Sequence, residues 1–101
     1  MKRVFVAVVA AGILTACTAQ VGEDATGEQI YESICARCHG SDLGGGVGPA
    51  LGPGSDAASQ PDEFLITTIT RGRGRMPSFS ATLNDEQILR VVDYLRSRQQ
   101  P

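Results

Sequence analysis

The stretch that most constrains this chain is Cys35-Ala36-Arg37-Cys38-His39. Two thiols three residues apart, with an imidazole directly behind them, suit a helix: positions i, i+3 and i+4 share one face. A thioredoxin-type redox pair uses the same Cys-x-x-Cys spacing but expects alternating strands and helices around it, and no such alternation is present. A structural zinc site needs four ligands. Here the chain holds three cysteines and one histidine, and the third cysteine, Cys17, stands far from the pair.

The immediate histidine selects the remaining chemistry. Cys-x-x-Cys-His is the attachment pattern of a c-type haem, in which both sulfurs meet the vinyl groups of one porphyrin and the imidazole reaches its iron. Cys35 and Cys38 are thus the candidate attachment residues, and His39 the candidate iron ligand. His39 is the only histidine, so two histidines from one chain cannot ligate the iron. Of two methionines, Met1 belongs to a segment read below as a removable signal, leaving Met76 as the thioether for the sixth position. A lone methionine is ordinarily core filler. In Arg75-Met76-Pro77, just after a predicted helix, it stands where a loop can fold back over a haem.

The first residues read as an export signal. Lys2 and Arg3 form a basic start, Val4 to Ala16 is an apolar run, and small residues follow; the run is too short for an ordinary membrane-spanning helix. An uncleaved anchor or a buried helix is the plainer alternative. Leu14-Thr15-Ala16-Cys17 resembles the lipobox of bacterial lipoproteins, with Cys17 lipidated and becoming the first mature residue; cleavage after Ala19 competes with it. If Cys35 and Cys38 carry haem, Cys17 has no disulfide partner, and lipidation accounts for that odd exported thiol. The expected division is a lipoprotein signal over 1–16, a lipidated cysteine with a flexible tether over 17–26, and a haem domain over 27–101.

From Cys17 onward there are seven arginines, no lysine and eleven acidic residues. That balance argues against nucleic acid and against adsorption to anionic lipid through a basic face. A domain of this size is marginal on its apolar core alone, and a covalent haem would act as its staple. Gly27 to Ala36 is predicted as the first helix, with Ile30, Tyr31 and Ile34 as its apolar face. Residues 40–59 contain seven glycines and two prolines, which excludes a long regular element and predicts a loop wound closely against a flat cofactor. Pro61 to Arg71 is predicted as a second helix capped by Ser59 or Gln60, stopped by Gly72, and burying Phe64, Leu65, Ile66 and Ile69; its β-branched residues leave a strand open. Asn84 to Arg98 is predicted as the last helix, with an Asn84/Gln87 capping box, a Leu83/Ile88 staple and an Ile88, Val91, Val92, Leu95 stripe.

These residues together resemble a class I monohaem cytochrome c of the small bacterial type, over about residues 27–98. The resemblance implies an all-α fold of three to four short helices around one covalently attached haem, with thioethers at Cys35 and Cys38 and His39 as proximal ligand. Gly48-Pro49-Ala50-Leu51 matches the family's Gly-Pro-x-Leu, which implies that the Pro49 carbonyl accepts the other ring N–H of His39 and that Pro49 and Leu51 line the cofactor. Met76-Pro77 matches its ligand loop. Gly27 and Tyr31 on the first helix, and Val91 and Tyr94 on the last, match its helix crossing. The short connection from His39 to Met76 suggests a compact member with one haem edge open to solvent.

With both axial positions filled, the expected activity is outer-sphere transfer of single electrons, not catalysis. The chain is expected to be exported and lipid-anchored at the periplasmic or extracytoplasmic face of a bacterial membrane, between a dehydrogenase or quinol-oxidising complex and an oxidase or reductase. The alternatives are a haem enzyme or gas sensor with an open sixth position, and a cytochrome subunit of a larger oxidoreductase. Arg71, Arg73 and Arg75 lead into Met76; they either dock a partner or pair with haem propionates. Gly44-Gly45-Gly46-Val47-Gly48 lacks the strand and spacing of a dinucleotide-binding loop.

Overall fold

The computed structural model describes residues 21–100. Among them regular structure is helical, apart from one isolated bridge between Arg73 and Met76. The signal over 1–16, Cys17 and the first part of the expected tether lie outside the described residues.

The first helix, α1, covers 27–39 and has three parts: α-helical Gly27–Ile30, a π-helical turn Tyr31–Cys35, and α-helical Ala36–His39. Thr26 starts it with a reciprocal capping box: its hydroxyl accepts from the Gln29 amide at 3.1 Å, while the Gln29 side chain accepts from the Thr26 amide at 2.9 Å. Gly40, at φ +83°, ends it. The helix runs three residues beyond the predicted Ala36, so the whole Cys-x-x-Cys-His motif is helical. The π turn was not expected, and its effect is geometric. Residues four apart drift by roughly 40° at 3.6 residues per turn. A turn closed from i to i+5 takes more residues per revolution and offsets that drift. Tyr31, Cys35 and His39, spaced four apart, are all buried.

Helix α2, Asp62–Arg71, begins without a side-chain cap; extended Pro61 occupies the capping position. The predicted caps are otherwise engaged: Ser59 closes a 3₁₀ turn, Ala57–Ser59, and the Gln60 carbonyl accepts from Arg96. The β-branched residues fit a helix because the Thr68 and Thr70 hydroxyls donate back to the Phe64 and Ile66 carbonyls, each at 2.7 Å. Leu65 and Ile69 are buried, while Phe64 and Ile66 are half-buried.

Helix α3, Asp85–Gln99, has the predicted capping box: the Asn84 side chain accepts from the Gln87 amide, and Gln87 Oε1 from the Asn84 amide, both at 2.8 Å. Its stripe of Ile88, Val91, Val92 and Leu95 is buried as expected. α3 crosses α1 at Gly27, where an added Cβ would stand 2.0 Å from the Arg90 carbonyl oxygen. The Tyr31 and Tyr94 rings pack at the same crossing, 5.5 Å apart and tilted by 47°. One apolar core joins the three helices with Leu43 and Leu83.

The stretch 21–26, read as the end of a flexible tether, is instead held on α3. Arg90 donates to the Ala25 carbonyl at 2.5 Å and to the Glu23 carbonyl at 2.8 Å, and Gln87 Nε2 to the Gly22 carbonyl at 3.2 Å. Gln87, predicted only as a capping residue, is buried because it serves both partners. These long-range bonds satisfy carbonyls that a solvated tether would leave to water.

Candidate haem site

The site starts from the end of α1. Cys35 is buried, Cys38 is exposed and His39 is only 8% exposed, so the motif straddles the edge of the core. Burial pushes the Cys35 thiol up to about 11, which keeps it protonated at neutral pH.

The glycine-rich loop is wound onto the end of that helix. Gly45 N–H donates to the His39 carbonyl at 2.8 Å and Gly48 N–H to the Cys38 carbonyl at 2.7 Å, supplying partners that the last carbonyls of a helix lack. Leu43 is buried at φ +62°, and its carbonyl accepts from both Leu51 and Gly52, at 2.9 and 3.2 Å. The Leu51 carbonyl in turn accepts from Gln99 of α3 at 2.9 Å.

This winding sets the imidazole. His39 Nδ1 lies 2.7 Å from the Pro49 carbonyl oxygen, so the ring donates there and carries its proton on Nδ1. Nε2 makes no hydrogen bond among the described residues and is the nitrogen left for a metal. Gly48 approaches the ring too closely for a side chain: a Cβ would stand 3.0 Å from Cε1 and 3.1 Å from Nδ1.

Tyr31 supports the same helix end. Its ring is fully buried and its hydroxyl donates to the Gly40 carbonyl at 2.5 Å. Burial first, then the neighbouring Cys35, raises its pKa from 10.0 to about 12. Because the folded value exceeds the ordinary one, the stability carried by neutral Tyr31 is intact below pH 10 and is lost as pH rises towards 12. Tyr31→Phe is expected to cost about 1 kcal/mol at neutral pH and to flatten the alkaline limb of stability between those values, measured by denaturant titrations across pH.

Met76 follows a tight turn. Arg73 and Met76 exchange both backbone hydrogen bonds, at 3.0 and 2.9 Å, around Gly74 at φ +57°. The turn is tied to α2 by Phe79 N–H to the Ile69 carbonyl at 3.0 Å and by the Ser78 hydroxyl to the Thr70 carbonyl at 2.6 Å. Gly72 has no room for a side chain, since a Cβ would lie 2.5 Å from the Met76 carbonyl oxygen. Met76 and Leu51, both half-buried, pack against the core cluster that contains Cys35.

This donor set suits a haem. No group of three or more His, Cys, Asp or Glu that could hold an ion occurs among the described residues. One imidazole nitrogen and one thioether make a weak site alone, but they are the two ligands a porphyrin leaves to its protein. Sequence reasoning missed Leu43, the Tyr31–Gly40 bond and the Gln99–Leu51 bond. The first depends on a left-handed leucine and the others on contacts with no local periodicity.

The family model for cytochrome C oxidase, cbb3-type, subunit III matches residues 22–95. Cytochrome c55X of Stutzerimonas stutzeri is 38% identical over 73 residues, covering 70% of this chain and 64% of the relative, just under two thirds of its length. Cytochrome c6 of Leptolyngbya boryana is 35% identical over 75 residues, covering 70% of this chain and 87% of the relative. Among solved structures, cytochrome cL from Hyphomicrobium denitrificans superposes with a TM-score of 0.66 at 31% identity, covering 73% of this chain and 46% of that one.

Proposed function

The chain belongs to the cytochrome c family whose model is described as cytochrome C oxidase, cbb3-type, subunit III, and from that premise we propose that it is a membrane-tethered one-electron carrier with a single covalent haem c, ligated by His39 and Met76. The observation that carries this reading is the fixed imidazole: Nδ1 engaged at 2.7 Å by the Pro49 carbonyl, with Nε2 left over.

When bound, the haem supplies a one-electron iron couple. Cys35 and Cys38 would hold it through thioethers, so that it could not dissociate with a change of oxidation state. The Pro49 carbonyl orients the His39 ring and makes Nε2 a stronger donor. Met76 would supply a soft, neutral thioether, which favours ferrous iron and, by occupying the iron, would deny small molecules a binding position. Leu51, packed against the core, would contribute apolar surface to the cofactor's pocket. Donors of the dehydrogenase or quinol-oxidising class and acceptors of the oxidase or reductase class fit this chemistry.

One measurement tests the attachment. The intact protein under denaturing conditions should keep the mass of one haem, carried on the peptide containing Cys35 and Cys38. Extraction of the haem by acidified organic solvent would sink the reading.

The tether is part of the proposal. No helix among the described residues is long and apolar enough to cross a membrane; the anchor proposed is lipid on Cys17, on the strength of the lipobox-like Leu14-Thr15-Ala16-Cys17. Acyl chains contribute ~0.8 kcal/mol per buried methylene, and two or more give stable attachment. With 21–26 held on α3, the span from Cys17 to Val21 reaches at most about 14 Å, which would keep the domain close to the periplasmic or extracytoplasmic face of the membrane. Cys17→Ser is expected to move the protein from the membrane fraction to the soluble exported fraction; an unchanged distribution contradicts the anchor.

A second reading has its own support. The matching family is described as an oxidase subunit, so the carrier is also proposed as a candidate component of a larger oxidoreductase. Gel filtration of detergent-extracted protein separates the two: a small lone species supports the free carrier, comigration with a large enzyme the subunit.

A further inference from the structure

The charge distribution is uneven in a way the ligand set does not account for. Arg71, Arg73 and Arg75 are exposed and fall within five residues. Of the other arginines among the described residues, Arg90 is engaged with the carbonyls of Glu23 and Ala25, and Arg96 with Asp62 and the 3₁₀ turn, while Arg37 and Arg98 also lack an ion pair but do not fall in such a cluster. The ion pair between Arg96 and Asp62 is the one found among the described residues. The three clustered guanidiniums thus meet no carboxylate there, in a chain with eleven acidic residues.

Their backbone is also fixed. The paired bonds between Arg73 and Met76, the crowding at Gly72 and the tie from Ser78 to Thr70 hold the turn against α2. Arg73 sits 5.3 Å above the Phe64 ring, which steadies its side chain while leaving the charge exposed. Three unneutralised cations on one turn repel one another, most strongly at low salt. An arrangement that keeps them together is explained by something anionic that meets them from outside.

We propose that the turn 71–75 is a docking face for a redox partner whose surface is rich in carboxylates. This rests on the reading of a haem carrier ligated by Met76, because only then does the turn border the electron's exit. A protein partner is favoured over a lipid surface: electrostatic attachment to anionic lipid uses clusters of roughly four to eight basic residues, and this chain is otherwise acidic. The turn steers association by local field, against the sign of the net charge.

The test uses small reagents of opposite charge. Ferrous holoprotein carrying Cys17→Ser is oxidised by the trianion hexacyanoferrate(III), or by the trication tris(phenanthroline)cobalt(III), in stopped flow. Ionic strength is varied from about 0.01 M to about 0.5 M, where screening shortens from roughly 30 Å to a few. Oxidation by the trianion should slow as salt rises, although the protein is net negative. Arg73→Gln with Arg75→Gln should lower its low-salt rate roughly tenfold, converge with the parent at high salt and leave the midpoint potential unchanged. Arg98→Gln, on the last turn of α3, should leave the rates within about twofold.

The proposal is overturned if oxidation by the trianion speeds up with salt, or if the double variant leaves that rate unchanged. A shift in potential without a change of rate would assign the arginines to haem propionates instead. Loss of binding to phosphatidylglycerol vesicles in the double variant, with unaltered kinetics, would assign the turn to lipid. Failure of the haem to exchange electrons with either reagent contradicts the carrier reading itself, a result distinct from a wrong salt slope.

Discussion

Met76→Ala is expected to open the iron. The ferrous holoprotein should then bind carbon monoxide within seconds at neutral pH, where the parent does not. The midpoint potential should fall by on the order of 0.2 V, within the roughly 0.8 V range that axial ligands span. The direction follows from chemistry: a soft neutral thioether stabilises ferrous iron, and water in its place does so less. Gly72→Ala should produce a weaker form of the same phenotype without removing the sulfur. A Cβ there would stand 2.5 Å from the Met76 carbonyl oxygen and 2.7 Å from the Pro77 carbonyl carbon, displacing the ligand's backbone. Carbon monoxide titration and a redox titration on the same samples check both variants. An unchanged potential in Met76→Ala contradicts the ligand assignment.

The second large effect is on stability. Gly27→Ala should destabilise the holoprotein by about 3 kcal/mol, the upper end for overpacking, although alanine is the better helix former by about 1 kcal/mol. The conflict is with main chain: the new Cβ would meet the Arg90 carbonyl oxygen at 2.0 Å and its carbon at 2.7 Å, atoms that cannot rotate away. α1 and α3 would have to separate, loosening Ile30, Tyr31, Val91 and Val92, which are buried to within 2%. The same movement would strain the Arg90 bonds to Glu23 and Ala25. Denaturant unfolding followed by haem absorbance measures it; a loss under 0.5 kcal/mol would mean that the crossing is looser than described.

Much of this fold was readable from residues in the chain because its decisive features are local. The Asn84/Gln87 box and the four-residue apolar stripe of α3 follow from spacing alone, and the structure has both. The crossing of Gly27 with Tyr94 was expected only through the family resemblance, and the contact is present. What could not be read is long-range or compensatory. Arg90 reaches carbonyls 65 and 67 residues away, and nothing in residues 21–26, small, polar and acidic, announces that they are held. The π turn has no sequence signature, since Tyr31–Cys35 would sit as well in an α-helix. It is intelligible only once Tyr31, Cys35 and His39 are all seen to be buried. The second helix lacked its predicted cap because Ser59 and Gln60 belong to the preceding turn and to Arg96.

At the candidate site the motif identified the cofactor chemistry, but the geometry came from the loop. Gly48 and Pro49 look like ordinary loop residues by composition. Their importance lies in a glycine with no room beside the His39 ring and a carbonyl 2.7 Å from Nδ1. Met76 was singled out by elimination, and the tight turn that holds it depends on Gly72 and Gly74 adopting positive φ.

If His39 and Met76 together close the iron, the protein is a relay. The far-red absorption spectrum of the ferric holoprotein at neutral pH tests it most directly, because thioether ligation gives a weak charge-transfer band there that other ligand sets lack. That band is expected in the parent protein and is expected to vanish in Met76→Ala. A parent spectrum without it would contradict ligation of the iron by Met76.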